Sequence, residues 1–275
     1  ATVNPWLFDR AYLDKKERLE REEQAASQTA GEPQTQGQRF RTASWGLLKN
    51  MGNGMEMGLT YPYYYCKTFW DGLKSEGETE VVSLTRAAWP GSQKFGAIVW
   101  NGDIPSSWQA LRESVVSGLS MAMCGIPWWN SDIGGFHSGD IESDYFRELI
   151  VRWFQFGLFS PVMRLHGDRN PHDKPGLVSS GGKACCPSGA DNEIWSYGEK
   201  VEKVLRKFIS LRYRIKPYTR RLMQEAHENG APVMRPVFYN FPHDKKAWDV
   251  DDAYCFGNDL VVAPIFEAGA TTRNV

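Results

Sequence analysis

Four residues of types that can transfer protons or carry charge each follow a strand-length segment of the chain. They are Arg86 after EVVSLT, Asp103 after FGAIVWNG, Asp132 after MAMCGIPWWNS and His166 after SPVMRL. In a barrel of alternating strands and helices, the carboxyl ends of the strands converge on one mouth, where catalytic groups usually lie. The packing of a core gives no reason for charged groups to share one rim. The pattern therefore predicts a functional site built from four strand ends.

Each of the four residues also has a purely structural interpretation. Asp103 follows a glycine, and Gly-Asp is common in turns; Asp132 could form a turn as well. Arg86 could be one half of a structural ion pair, and His166 could be a hydrogen-bonded histidine of the core. These alternatives stay open for each residue by itself, so it is the agreement among the four that favours function.

A metal site is a further alternative, because potential ligands cluster at His166, Asp168, His172 and Asp173. Their spacing matches neither H-E-x-x-H nor another helical ligand pattern, which disfavours a metal site. The chain contains no G-x-G-x-x-G or P-loop motif, so nucleotide binding has no support. We expect no metal and no cofactor.

The elements that would position this rim alternate between strands and helices. Residues 95–100 form an apolar run, typical of a strand buried on both faces. EVVSLTR, at residues 80–86, is predicted to be another buried strand, and SPVMRLHGDR a further one. Helices are expected from an apolar stripe after Pro105 (Trp108, Leu111, Val115, Leu119) and from a second stripe in YFRELIVRWFQFGLF (Phe146, Leu149, Ile150, Trp153). This alternation indicates an α/β fold.

The two ends of the chain differ from this pattern. Residues 1–45 comprise a charged helix, DRAYLDKKERLEREEQAA, and a polar linker, SQTAGEPQTQGQ. An aromatic helix is predicted to end at Gly77, and residues 192–229 are predicted to be helical, with a break at Pro217 and a stop at Gly230. The β-like runs that follow Gly230 indicate a separate β-rich unit, which the chain enters without completing. We therefore expect the chain, which starts at Ala1 rather than Met, to be part of a longer one.

The overall composition excludes some partners. The formal net charge is −1, which argues against general affinity for nucleic acid or anionic membranes. No run approaches the 18 apolar residues of a membrane helix, and no signal peptide is recognised at the start. The five cysteines have no C-x-x-C spacing, so we expect mostly buried free thiols and leave the cellular compartment open.

Several long motifs, in order, resemble glycoside hydrolase family 31. They are SLTRAAWPGSQKFGAIVWNGDIPSSWQALRESV, GIPWWNSDIGGF, VRWFQFGLFSPVMRLHG, APVMRPVFYNFPHD and YCFGNDLVVAPI, and the resemblance covers about residues 46–275. The family contains α-glucosidases and α-xylosidases with a (β/α)8 barrel followed by β-sandwich domains. The resemblance thus implies a fold of class α/β, the C-terminal half of a (β/α)8 TIM barrel followed by the start of a β-sandwich domain. Domains are expected at 1–45 (unmatched to the family), 46–229 (partial barrel) and 230–275 (start of the sandwich).

The resemblance also assigns roles to residues. Asp103 occupies the position of the general acid/base, which protonates the glycosidic oxygen and then activates water. Five residues match the lining of the pocket for the sugar at subsite −1: Arg86, Trp100, Asp132, Phe136 and His166. Because family members retain the anomeric configuration, they require two carboxylates about 5–5.5 Å apart.

The second carboxylate is not found where the resemblance requires it. In the family the nucleophilic Asp lies in a W-x-D-x-x-E pattern ahead of a G-N-G element, here Gly52-Asn53-Gly54. No Asp occurs between Lys15 and Trp70, and the polar linker occupies the expected place. Asp9 follows a Trp but lacks the Glu. We therefore expect the strand that carries the nucleophile to be missing from this chain.

Two hypotheses of function follow. The first is a retaining α-glycosidase that hydrolyses α-glucosides or α-xylosides, with a carbohydrate as the partner and Asp103 as the acid/base. The alternative is a catalytically inactive fragment or remnant that binds carbohydrate or a partner protein through the same rim. A structural helical adaptor built on the charged segment is a weaker third hypothesis.

Overall fold

The computed structural model describes residues 57–174 and 188–275. They fall into two units, one with residues 57–81 and 87–92, the other with residues 82–86 and the described residues from 93 onward. The helix and linker expected in residues 1–45 lie outside the described residues. The same is true of Asp9 and of Gly52-Asn53-Gly54.

The smaller unit contains one aromatic helix, α1 (Tyr61–Ser75). A short 3-10 turn, Gly58–Thr60, leads into it. Pro62 lies in the first turn, where backbone N–H groups have no partner within the helix. The missing N–H of proline therefore removes no helical hydrogen bond. The chain turns at Gly77, whose φ of 93° is readily adopted by glycine. The predicted aromatic helix and its stop are confirmed.

The larger unit opens with a parallel sheet in the strand order β1-β2-β3. The strands are β1 (Ser83–Thr85), β2 (Ala97–Trp100) and β3 (Trp129–Asn130). Val99 of β2 lies opposite Trp129 of β3. Helix α2 (Trp108–Met123) follows β2 in the chain and buries Leu111 and Val115 of the predicted stripe. The predicted strand–helix–strand order is confirmed for this part of the chain.

The buried strand predicted over residues 80–86 is wrong in its length and its burial. β1 covers only three residues, and Val82 and Leu84 are 66% and 43% exposed. The strand is short and exposed because it lies at the end of its sheet. Within the described part of the chain, β1 pairs with β2 alone. Arg86 still follows the strand directly, as predicted.

Helix α3 (Asp144–Leu158) begins at a capping residue, Ser143, whose hydroxyl accepts a hydrogen bond from the backbone N–H of Phe146. The four apolar residues predicted to share one side of this helix are all completely or almost completely buried: Phe146, Leu149, Ile150 and Trp153. Trp153 also donates from its indole N–H to the hydroxyl of Ser131, 2.9 Å away. The helix is therefore fixed to the chain just beyond β3.

The strand predicted in SPVMRLHGDR forms no ladder. It makes one isolated parallel bridge, between Leu165 and Ile133. Four residues of the segment (Pro161, Val162, Met163 and Leu165) line an open apolar groove of about 480 Å³ together with Ile133, Ile194, Ile209 and Tyr213. Because the described residues provide pairing on one side only, the segment keeps an extended course without becoming a strand. His166 follows it, as predicted.

A second sheet, which the sequence did not predict, lies beyond these segments. It contains β4 (Gly139–Asp140), β5 (Arg169–Lys174) and β6 (Ser188–Ala190), in that order. β4 pairs with β5 in parallel and β5 with β6 in antiparallel orientation. These strands are short and polar, so they lack the apolar periodicity by which strands are recognised.

The remaining elements agree with the sequence prediction in type, with two exceptions: the helical region begins at Glu199 and not at residue 192, and a short helix lies inside the run APVMRPVFYNFP, which is predicted to be β-like. Helices α4 (Glu199–Arg214) and α5 (Lys216–Asn229) are followed by β7 (Met234–Pro236), the short helix α6 (Val237–Asn240), β8 (Tyr254–Phe256) and β9 (Leu260–Val262). The last three strands form an antiparallel sheet, and Gly230 ends α5 in the left-handed conformation. Across the described residues, every helix falls short of the length and apolarity that crossing a membrane requires.

The predicted free thiols are found at three positions of the described chain. Cys66 and Cys255 are buried, whereas Cys124 is exposed. Burial raises the pKa of the Cys255 thiol. Cys185 and Cys186 lie outside the described residues.

Arg212 of α4 closes the C-terminal end of α3. Its guanidinium donates to the carbonyl oxygens of Leu158, Ser160 and Pro161 at 2.6, 2.9 and 2.9 Å. Such carbonyls have no partner within their own helix, and a cation at this end also complements the helix dipole. Burial lowers the pKa of Arg212 to about 10, which leaves the side chain charged at neutral pH.

We expect Arg212→Met to lower the free energy of unfolding by about 3 kcal/mol, because three carbonyls lose a charged donor. Chemical denaturation followed by circular dichroism would measure the change. Arg206→Met is the matched control: Arg206 lies on the same helix and makes only an exposed pair with Glu202, worth under about 1 kcal/mol. Equal losses in the two variants would contradict the role given to Arg212.

Candidate active site

The ends of β1 and β2 place Arg86 beside Asp103. The Nη1 atom of Arg86 lies 3.0 Å from Oδ2 of Asp103, and the two side chains are 41% and 33% exposed. A pair this accessible contributes little to stability. The Arg86 side chain passes so close to Gly102 that a Cβ there would lie 3.1 Å from Nε. The pair therefore fixes the direction of an accessible carboxylate.

Asp132, two residues beyond β3, is completely buried. One carboxylate oxygen, Oδ1, accepts a hydrogen bond from Nη1 of Arg164. The other, Oδ2, is buried without a hydrogen-bond partner among the described residues. Burial raises the pKa of Asp132, and the nearby carboxylate of Asp103 raises it further, whereas Arg164 and His166 lower it. Asp132 is thus an acid in an environment unlike that of Asp103.

His166 and Phe136 lie side by side next to Asp132. Their ring centroids are 5.4 Å apart, with the ring planes tilted by 46°. The backbone N–H of Asp168 donates to the carbonyl of Phe136 at 2.8 Å, which joins the two segments beyond the rings. His166 is exposed, so it is not a residue of the core.

Arg164 connects Trp100 to this group. Its guanidinium lies over the indole of Trp100, 5.6 Å from the ring centroid, while it also donates to Asp132. The indole nitrogen of Trp100 is buried and lacks a hydrogen-bond partner in the described part of the chain. Sequence reasoning missed Arg164; the available signal was a second basic residue two positions before His166.

Backbone hydrogen bonds hold the loop after β2 to the loop after β3. The N–H groups of Phe136 and His137 donate to the carbonyl of Ile104 at 2.8 and 3.0 Å, and that of Ser106 donates to the carbonyl of His137 at 2.8 Å. A Cβ at Gly135 would lie 2.6 Å from the carbonyl oxygen of Pro105, so only glycine allows this approach. The loop that carries Asp103 is thereby fixed against the loop that carries Phe136.

The six residues predicted for the site are connected by two kinds of interaction. Contacts join Arg86 to Asp103, Asp132 to Arg164, His166 to Phe136 and Arg164 to Trp100. Electrostatic interaction joins Asp132 to Asp103 and to His166. Such a group offers an accessible acid, a buried acid, two cations and aromatic walls.

The alternative of a metal site gains no support from the residues that the structure describes. Within 57–174 and 188–275, no group of three His, Cys, Asp or Glu side chains is arranged to hold a metal ion. Asp168 instead pairs with His172, whose Nε2 lies 3.0 Å from Oδ2. The side chain of Asp173 lies outside the described residues.

Comparison with protein families gives two matches. Residues 7–222 match the glycosyl hydrolases family 31 TIM-barrel domain. Residues 230–275 match the glycosyl hydrolase family 31 C-terminal domain. The boundary between the two matches coincides with Gly230, at the end of α5.

Individual relatives agree with these matches. An alpha-xylosidase of Saccharolobus solfataricus is 32% identical over 237 residues, 86% of this chain and 30% of its own length. Neutral alpha-glucosidase C of Homo sapiens is 35% identical over 222 residues, 80% of this chain and 22% of its own length. The crystal structure of a GH31 alpha-xylosidase from a soil metagenome, complexed with xylose, is 50% identical with a TM-score of 0.77 and covers 80% of this chain and 32% of its own. The chain therefore spans about a third or less of the length of these relatives.

The carboxyl group of Asp132 should titrate above its ordinary pKa of 3.8, because burial disfavours its charged form. Carbon-13 NMR of the side-chain carboxyl, assigned by the signal lost in Asp132→Asn, would measure the midpoint. In Arg164→Met the midpoint should rise further, since the guanidinium that lowers it is gone. A midpoint at or below 3.8 in the unaltered chain would contradict the buried placement.

The raised pKa of Asp132 also predicts a pH dependence of stability. Because the folded state holds the proton of Asp132 more tightly than the unfolded state, protonation stabilises the fold and ionisation destabilises it. The melting temperature of the unaltered chain, relative to that of Asp132→Asn, should therefore fall as pH rises from about 3.8 toward the folded pKa. Thermal melts of both proteins across this range would test the sign, and a relative rise with pH would refute it.

Proposed function

Because the chain belongs to glycosyl hydrolase family 31, we propose that it is part of a retaining α-glycosidase that hydrolyses α-xylosides or α-glucosides. The observation that carries this proposal is the accessible carboxylate of Asp103, which pairs with Arg86 on a rim that also holds His166 and the rings of Trp100 and Phe136. The names of the relatives, alpha-xylosidase and alpha-glucosidase among them, support the same reaction class.

Asp103 is the proposed general acid/base. Its carboxylate is reachable from solvent and is directed by Arg86 across a distance of 3.0 Å. A group in this position can give a proton to the glycosidic oxygen and then take one from water. Loss of such a group slows hydrolysis most for leaving groups that need the proton.

The other members of the site are proposed to bind the sugar at subsite −1. The free oxygen of Asp132 and the imidazole of His166 can accept or donate hydrogen bonds to sugar hydroxyls. The indole of Trp100 and the ring of Phe136 offer apolar surfaces to the sugar ring, a use to which aromatic side chains are well suited. Arg86 has further guanidinium N–H groups that can reach a hydroxyl.

The proposed reaction needs a second carboxylate about 5–5.5 Å from the first. We propose that it is supplied by a strand that this sequence does not contain, because no Asp occurs between Lys15 and Trp70. The division into residues 1–45, 46–229 and 230–275 remains a proposal too, although the match to the barrel domain begins at residue 7. The lack of an Asp in the expected place also favours the alternative function, a catalytically inactive remnant that binds carbohydrate or a partner protein.

In an enzyme that also contains the strand with the second carboxylate, we expect Asp103→Asn to lower hydrolysis of methyl α-xyloside or methyl α-glucoside by about 10²–10⁴-fold, the usual contribution of general acid–base catalysis. Cleavage of the matching glycosyl fluoride should fall less, because fluoride leaves without a proton. Product release followed by proton NMR would measure both rates. The same spectra would report whether the product first forms with retained configuration.

Asp251→Asn is the matched control, since Asp251 also pairs with an arginine, Arg112, at 2.9 Å but is far more exposed. It should hydrolyse both substrates at the rate of the unaltered chain. Equal activity of Asp103→Asn and the control would refute the assignment of Asp103. Binding of xylose or glucose without any hydrolysis would favour the non-catalytic alternative.

A further inference from the structure

Arg169 is completely buried, although its guanidinium carries a charge. It opens β5, three residues after His166. Its Nη1 donates to the carbonyl of Gly135 at 2.8 Å, and its Nη2 donates to the carbonyls of Ile133 and His166 at 3.0 and 3.2 Å. These acceptors are neutral. Since a buried cation is costly unless its hydrogen bonds are made, the carbonyls are held firmly in place.

The three carbonyls belong to the backbone that carries the site. Ile133 follows Asp132, Gly135 precedes Phe136, and the third carbonyl is that of His166 itself. One guanidinium thus joins two segments that are more than thirty residues apart in sequence. The planar fork of arginine can reach several acceptors at once, which the single ammonium of lysine cannot.

The guanidinium is itself fixed from its other sides. Nε donates to the amide oxygen of Asn192 at 2.9 Å and lies 3.4 Å from the hydroxyl of Tyr197. The ring of Phe146 faces it, with 5.0 Å between the guanidinium carbon and the ring centroid. Asn192 in turn donates to the carbonyl of Gly167 at 3.3 Å. The position of Arg169 is therefore determined independently of any sugar.

Glycines leave the space that this side chain occupies. A Cβ at Gly134 would lie 2.9 Å from Nη2, one at Gly167 2.5 Å from Nη1, and one at Gly139 3.1 Å from Cδ of Arg169. Each added carbon would press on the side chain or on its support. Gly134 in DIGGF and Gly167 in HGDR are thus explained by the arginine beside them.

We propose that Arg169 is a positioning residue of the sugar site, setting the spacing of Phe136 and His166 and the placement of Asp132 without contacting the sugar. This inference rests on the proposed function. It assigns Arg169 no part in proton transfer. Its effect reaches the site through the carbonyls of Ile133, Gly135 and His166.

The test compares Arg169→Lys with Arg235→Lys. Arg235 is also buried and also bonds a backbone carbonyl, that of Pro232, but it lies in β7. Proton NMR would measure the nuclear Overhauser effect between the rings of Phe136 and His166, and calorimetry would measure xylose affinity. We expect Arg169→Lys to lose the ring-to-ring effect and to weaken xylose binding by about tenfold, the equivalent of one hydrogen bond to a charged group. Arg235→Lys should change neither.

Asn192→Ala provides a milder variant if Arg169→Lys fails to fold. It removes the acceptor of Nε but keeps the arginine, so the nuclear Overhauser effect between the two rings should weaken by less than in Arg169→Lys. Folded variants with unchanged ring contact would overturn the inference. The ring measurement needs no sugar: if the unaltered chain binds no xylose, the proposed function fails while the contact still tests the positioning role.

Discussion

The burial of one carboxylate, Asp132, is the constraint on which the rim depends. Taking an ionised carboxylate out of water has a cost of several kcal/mol in real proteins, so neighbouring groups must compensate for it. Arg164 and His166 do so, and both come from the segment after Pro161. That segment must run parallel to the chain beyond β3. The Ile133–Leu165 bridge and the hydrogen bond from Ile133 N–H to the Arg164 carbonyl, 3.1 Å long, keep it there.

Much of the site could be predicted from the sequence because parallel strands deliver their carboxyl ends to one edge. Arg86, Asp103, Asp132 and His166 were found by this argument alone, even though the first strand is short and the last segment forms only one bridge. The placement of a polar residue at a strand end depends on the direction of the strand and on its order in the sheet, and neither changes when a strand is shorter than predicted. The burial of EVVSLTR could not be predicted, because burial depends on what covers a strand.

The two further arginines escaped prediction for a different reason. Arg164 and Arg169 lie near His166, and a basic side chain is usually solvent-exposed. Their roles depend on partners distant in sequence, such as Asp132 and the carbonyl of Gly135. No periodicity or spacing encodes such a pairing. The polar sheet formed by β4, β5 and β6 was missed on the same grounds.

The close packing around several glycines near the rim limits which substitutions the sequence can accept. Gly139 bears no functional group, yet a Cβ there would lie 2.6 Å from the ring of Phe146, and at Gly157 a Cβ would lie 2.6 Å from Ile133. Mutations that add a single methyl group at these positions would displace the supports of the charged side chains. The positions most sensitive to substitution thus include residues with no chemistry of their own, and mutational tolerance around the rim is limited by volume as well as by charge.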